Sequence, residues 1–103
     1  LHVLCELRTD DAYPAIHHAL LHDSEDDVRD RAAAFLEDHP RPSSREPLCQ
    51  ALSDREESVV RHAIDGLEEL ADTRASDCLR KAAKGVSDDD LARKMNEVAN
   101  ELD

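Results

Sequence analysis

Apolar positions recur at helical spacing in two stretches that nearly copy one another. Leu21, Asp23, Val28, Ala32 and Leu36 return as Leu52, Asp54, Val59, Ala63 and Leu67. Ahead of the copies stand shorter sets, Ile16-Ala19-Leu20 and Leu48-Ala51-Leu52, with a third at Leu79-Ala82-Ala83. An i, i+3, i+4 spacing is one face of a helix, so each short set predicts a first helix, A. The longer stripes predict a second helix, B. They are Val28, Ala32, Phe35 and Leu36; then Val59, Ala63, Leu67 and Leu70; then Leu91, Met95, Val98, Ala99 and Leu102.

The polar turns between A and B, "HDSEDD", "SDREES" and "SDDD", are crowded with acids. Carboxylates are favoured at the positive end of the helix that follows. Ser53-x-x-Glu56 and Ser87-x-x-Asp90 read as capping boxes. The middle B helix is apolar over a wide arc: Val59, Val60, Ala63, Ile64, Leu67, Leu70 and Ala71. Such an arc suits a helix with neighbours on both sides. The last B helix is narrower, with Lys94, Asn96, Asn100 and Glu101 on its flanks, and suits a solvent-facing cap. "LHVLCEL" at the start reads as the tail of a further B helix, with Val3, Leu4 and Leu7 apolar. A hairpin of two short helices cannot bury both its faces, whereas a stack of hairpins can. The expected fold is all-α, an α-solenoid of about three and a half stacked antiparallel hairpins in one domain, 1–103. Its units are 1–8, a partial repeat, then 9–40, 41–72 and 73–103.

"DDAYPAIHHALLHDSEDDVRDRAAAFL" and "REPLCQALSDREESVVRHAIDGL" resemble HEAT repeats, most of all the short variety also found in phycobilin lyases. Asp11, Ala12, Pro14, Ile16, Ala19, Leu20, Asp23, Val28, Arg29 and Ala32 fit that unit, as do Pro47, Leu48, Ala51, Leu52, Asp54, Val59 and Ala63. The third copy keeps Arg74, Ala75 and Leu79 but not the Val-Arg pair. The resemblance implies that a turn Asp and a helix-B Arg bond between repeats, here Asp23 and Arg29. Val60 stands where the second Arg belongs, with Arg61 one residue late, so the ladder is expected to break there. The resemblance also places the B helices on the concave side.

Charge narrows the partner. Twenty-five acids against 13 Lys and Arg give a net charge of −12. That surface repels phosphate backbones and anionic membranes and attracts basic proteins. Abundant Asp with scarce Lys is equally the bias of halophilic proteomes. Cys5, Cys49 and Cys78 are an odd number without a Cys-x-x-Cys, so the expectation is small buried thiols in a reducing, cytoplasmic setting. No apolar run reaches membrane-span length.

His18 and His22, four apart, face one way and with Glu25 or Asp26 form a candidate metal set. Two ligands without a defined third are a weak pattern, and His22 also suits a helix end, so neither metal nor cofactor is expected. None of the six His is followed by Glu, unlike the iron-binding HEAT hydroxylases, and two aromatics make a poor nucleic-acid groove. Three residues after each helix-B Val or Leu come Arg31, His62 and Lys94; ten residues after come Asp38, Glu69 and Glu101. These basic and acidic rows, with Arg61, Asp65, Arg93 and Glu97 beside them, are either a polar groove for a partner or a solvated face of mixed charge. Arg61 with Asp65 and Arg93 with Glu97 are spaced to pair. The expected function is a non-catalytic scaffold that binds a protein on the helix-B face. Self-association through the partial repeat is a second expectation. The alternative implied by the resemblance is a lyase-type or regulatory subunit of an enzyme handling a tetrapyrrole or other prosthetic group.

Overall fold

A computed structural model describes residues 9–103. The expected partial repeat, with Val3, Leu4, Cys5 and Leu7, lies outside the described residues. Helix α1 spans Thr9–His22, α2 Asp26–Asp38, α3 Arg45–Ala51, α4 Glu57–Leu70, α5 Ser76–Gly85 and α6 Asp89–Leu102. Short 3-10 turns at Pro42–Ser44 and Thr73–Ala75 lead into α3 and α5. The helices pair as three successive hairpins, α1–α2, α3–α4 and α5–α6, and no strand occurs among the described residues. The Cα positions extend over 39 × 28 × 15 Å, the proportions of a single row of hairpins.

The predicted stripes form the core. Leu20, Leu36, Leu48, Leu52, Val59, Ile64, Leu67, Leu79 and Met95 are closed off from solvent. Ile16, Phe35 and Ala82 are only partly buried but pack against that core. The wide arc on α4 is real over Val59, Val60, Ala63, Ile64 and Leu67. It stops short of Ala71, which is exposed and ends the helix with φ 56°. Its N–H closes the cap on the carbonyls of Leu67 and Glu68. Gly66 has a packing reason that its sequence position hides. A Cβ there would lie 3.1 Å from Leu48 Cδ1, tighter than ordinary contact, and 3.7 Å from Glu37 Cα, an ordinary contact, so glycine lets the Leu48 side chain of α3 seat closely on α4.

The turns differ from the expected capping boxes. The Asp of the repeat closes each one, because its short carboxylate reaches the N–H two residues on. Asp23 accepts from the Glu25 N–H, Asp54 from the Glu56 N–H and Asp88 from the Asp90 N–H, each at 2.9 Å. Ser53 instead donates back to the Gln50 carbonyl.

The expectation of free thiols is also corrected. Cys49 on α3 and Cys78 on α5 form a disulfide with Cα atoms 5.8 Å apart. Stacking sets equivalent positions of neighbouring A helices side by side, and these two cysteines sit 29 residues apart, close to one repeat. With Cys49 and Cys78 paired, the cysteines do not point to a reducing compartment. No described helix is long and apolar enough to cross a membrane.

Leu67→Ala removes a side chain with no exposed surface from the middle of the stack. Chemical denaturation should show a loss of about 2–5 kcal/mol, the range for emptied leucine sites. Ala71→Gly should act in the opposite sense. It relieves a left-handed residue at an exposed helix end and should raise stability by about 1 kcal/mol in the same assay.

Candidate functional site

The surface formed by α2, α4 and α6 is built by stacking. Positions that recur every repeat come to lie beside each other, so charges on one helix meet those of the next. Arg29 shows the rule. Its Nε and Nη2 donate to the Asp54 carboxylate at 2.9 and 3.3 Å, and its Nη1 donates to the Asp23 carbonyl at 3.0 Å. Both side chains of the pair are almost fully buried. The expected inter-repeat bond is therefore present, but the turn Asp comes from the following repeat and Asp23 contributes only its backbone. The bond has no copy at the next junction. Val60 is buried at the Arg position, and Arg61 turns outward to pair with Glu57 at 2.7 Å.

Two members of the basic row are engaged. His62 lies 2.9 Å from Glu37 Oε1 through Nδ1, and 3.6 Å from Asp30 Oδ1 through Nε2. Lys94 bonds Asp65 at 2.8 Å. His62 and Lys94 thus bridge back to acids of the preceding B helix. This overturns two expected pairs. Asp65 is taken by Lys94 rather than Arg61, and Arg93 pairs with Asp90 rather than Glu97. The inter-repeat neighbour takes Asp65 because stacking fixes it, whereas Arg93 with Asp90 is an exposed i, i+3 pair within α6, worth no more than the few tenths of a kcal/mol of the i, i+4 alternative. Arg31, Asp38, Glu69, Glu97 and Glu101 are exposed. Glu101 hydrogen-bonds Glu68 carboxyl to carboxyl, and that bond holds Glu68 above the ordinary carboxylate range.

Acids are not spread evenly. Helices α2, α4 and α6 carry five, four and four acidic residues against two, one and two Arg or Lys. Helices α1, α3 and α5 carry two, one and one acidic residues against none, one and three Arg or Lys, so they balance only when taken together. Taken together, the B helices are therefore more acidic than the A helices.

Two features lie elsewhere. Between α3 and α5 an open groove of about 750 Å³ runs past the A–B turns. Its lining includes Gln50, Arg55, Lys81, Asp88, Leu91 and the Cys49–Cys78 disulfide. Nothing in the sequence pattern marked it, since its walls come from two repeats. At the other end, Tyr13 donates to the His39 carbonyl at 2.7 Å, with Arg41 over its ring and Phe35 at its edge. Beside it His17 Nε2 lies 2.8 Å from Ser44 Oγ. The pairing has the composition of a nucleophile and base, but Ser44 is wholly buried and out of reach of a substrate. It locks the entry to α3 onto α1. The His18 and His22 rings lie 4.9 Å apart between centroids, tilted by 49°, and among the described residues no three His, Cys, Asp or Glu converge as a metal set.

A family profile described as HEAT repeats matches residues 13–98. No curated protein matches the chain, and no solved structure does.

Burial lowers the His17 imidazole below its ordinary 6.5, so the folded chain binds that proton less readily than the unfolded chain. Stability should therefore fall as pH drops through about 6.5 toward the folded value. Glu68, raised above 4.5, acts in the opposite sense and makes the folded chain the better proton acceptor. Thermal melts from about pH 7.5 to 5.5 on the parent and on His17→Asn isolate the histidine. The parent should lose more of its melting temperature over that interval than the variant.

Proposed function

The chain belongs to the HEAT repeat family, and from that premise we propose a non-catalytic scaffold that binds a basic protein segment across α2, α4 and α6. HEAT repeats generally mediate protein–protein interaction. In this reading 9–40, 41–72 and 73–103 act as successive units of one binding domain. The observation that carries the reading is the excess of acids on the three B helices over the balanced A helices. An acidic excess of this kind steers a Lys- and Arg-rich partner and disfavours nucleic acid and anionic membrane.

The residues divide by role. Glu69, Glu97, Glu101 and Asp38 are exposed and available to a partner's charges, with Arg31, Arg61 and Arg93 setting the limits of the acidic area. His62, Asp65 and Lys94 are half-buried and engaged between repeats, so they hold the helices in register for binding.

Surface plasmon resonance with a short Lys/Arg-rich peptide tests the assignment. Glu69→Lys with Glu101→Lys should leave the helical signal intact and slow association roughly tenfold at low salt, because steering depends on the summed local charge. Glu46→Lys with Asp77→Lys makes the same change in net charge on the A helices and should slow it much less. Equal slowing by both pairs would show that net charge alone governs binding and would remove the B-side assignment.

A further inference from the structure

The geometry points to Cys49–Cys78 as a redox-controlled tie, whose cleavage by a small thiol releases the α5–α6 hairpin from α3–α4 and opens the groove between them. The inference stands apart from the partner-binding reading and does not depend on it.

The two junctions of the stack are unequal. Where the first hairpin meets the second, α2 lies along α4 in dense contact and α1 touches α3. Where the second meets the third, α4 and α6 touch far more sparsely, and α3 and α5 hardly meet apart from the disulfide. The third hairpin is tightly packed within itself, so it can move as a unit. Charge holds the second junction weakly. The Asp65–Lys94 bridge is partly exposed, and the Glu68–Glu101 pair beside it loses its shared hydrogen bond once both carboxylates ionise. The buried Arg29–Asp54 bond that fastens the first junction has no counterpart here. Arg45 lies 3.5 Å from Asp72, next to the chain link between the two hairpins, and sits where a pivot would be.

The sulfurs are within reach of a reductant. Both cysteines are half-buried and line the open groove. A thiolate RS⁻ of a low-molecular-weight thiol attacks one Sγ, the Sγ–Sγ bond breaks, and the other cysteine leaves as a thiolate. A second RS⁻ attacks the mixed disulfide, releasing RS–SR and the second cysteine thiolate. Both cysteine thiolates are then protonated, so two RSH are oxidised and one cystine is reduced to two thiols. An oxidised small disulfide of the same class reverses the sequence.

Spin labels on unnatural keto side chains at Arg55 and Ser87, which line the groove on its two hairpins, test the tie by pulsed dipolar spectroscopy. The protein is the full chain with Cys5→Ser, and the reductant is dithiothreitol. On reduction, two thiols should titrate, the helical signal should persist, and the 55–87 distance should lengthen and broaden. A control pair at Ser24 and Arg55, across the first junction, should stay unchanged. Cys49→Ser with Cys78→Ser should give the reduced distribution with or without dithiothreitol. Failure to titrate two thiols, an unchanged 55–87 distance after they titrate, equal broadening of both pairs, or loss of helix on reduction would each overturn the proposal. The last two would make the disulfide a general staple rather than a tie on one junction.

Discussion

The seam where α2 and α4 lie together is the contact on which the remaining structure depends. A two-helix hairpin of this size has more apolar surface than it can hide, and only a neighbour closes the rest. Here α4 lies along α2, with Gly66 in ordinary reach of Glu37 and the Leu48 side chain of α3 seated closely on it. Val59, Ala63, Ile64 and Leu67 are thereby sealed. Arg29 then fastens the rim, because a buried guanidinium is tolerable only with its donors satisfied, and Asp54 with the Asp23 carbonyl satisfies three of them.

That bond explains why one Asp recurs in the turns. Asp54 does two jobs, closing its own turn on the Glu56 N–H and receiving Arg29 from the previous repeat. Asp88 does only the first, since its would-be partner position holds Val60. The second junction consequently rests on sparser packing, an exposed bridge and a covalent bond. The polar register along α2, α4 and α6 follows the same logic of equivalent positions, but with an offset: His62 and Lys94 reach back to acids of the preceding helix, leaving the outermost carboxylates exposed.

The sequence alone determined the helical repeat, its three hairpins and nearly all of the core. Period 3.6 and the thirty-one-residue copy are local properties, and burial of Leu20, Leu36, Leu48, Leu67, Leu79 and Met95 follows from them. It also showed that Arg29 lacks a counterpart in the second copy, because a Val in place of an Arg is legible without coordinates. Tertiary structure alone decided who pairs with whom. Cys49 meets Cys78, Lys94 takes Asp65 from Arg61, His17 finds Ser44, and Asp54 rather than Asp23 receives Arg29. The physical reason is the same in each case. Periodicity fixes the face on which a side chain stands, but its partner on the next hairpin depends on the offset between repeats. That offset is set by how closely whole helices pack.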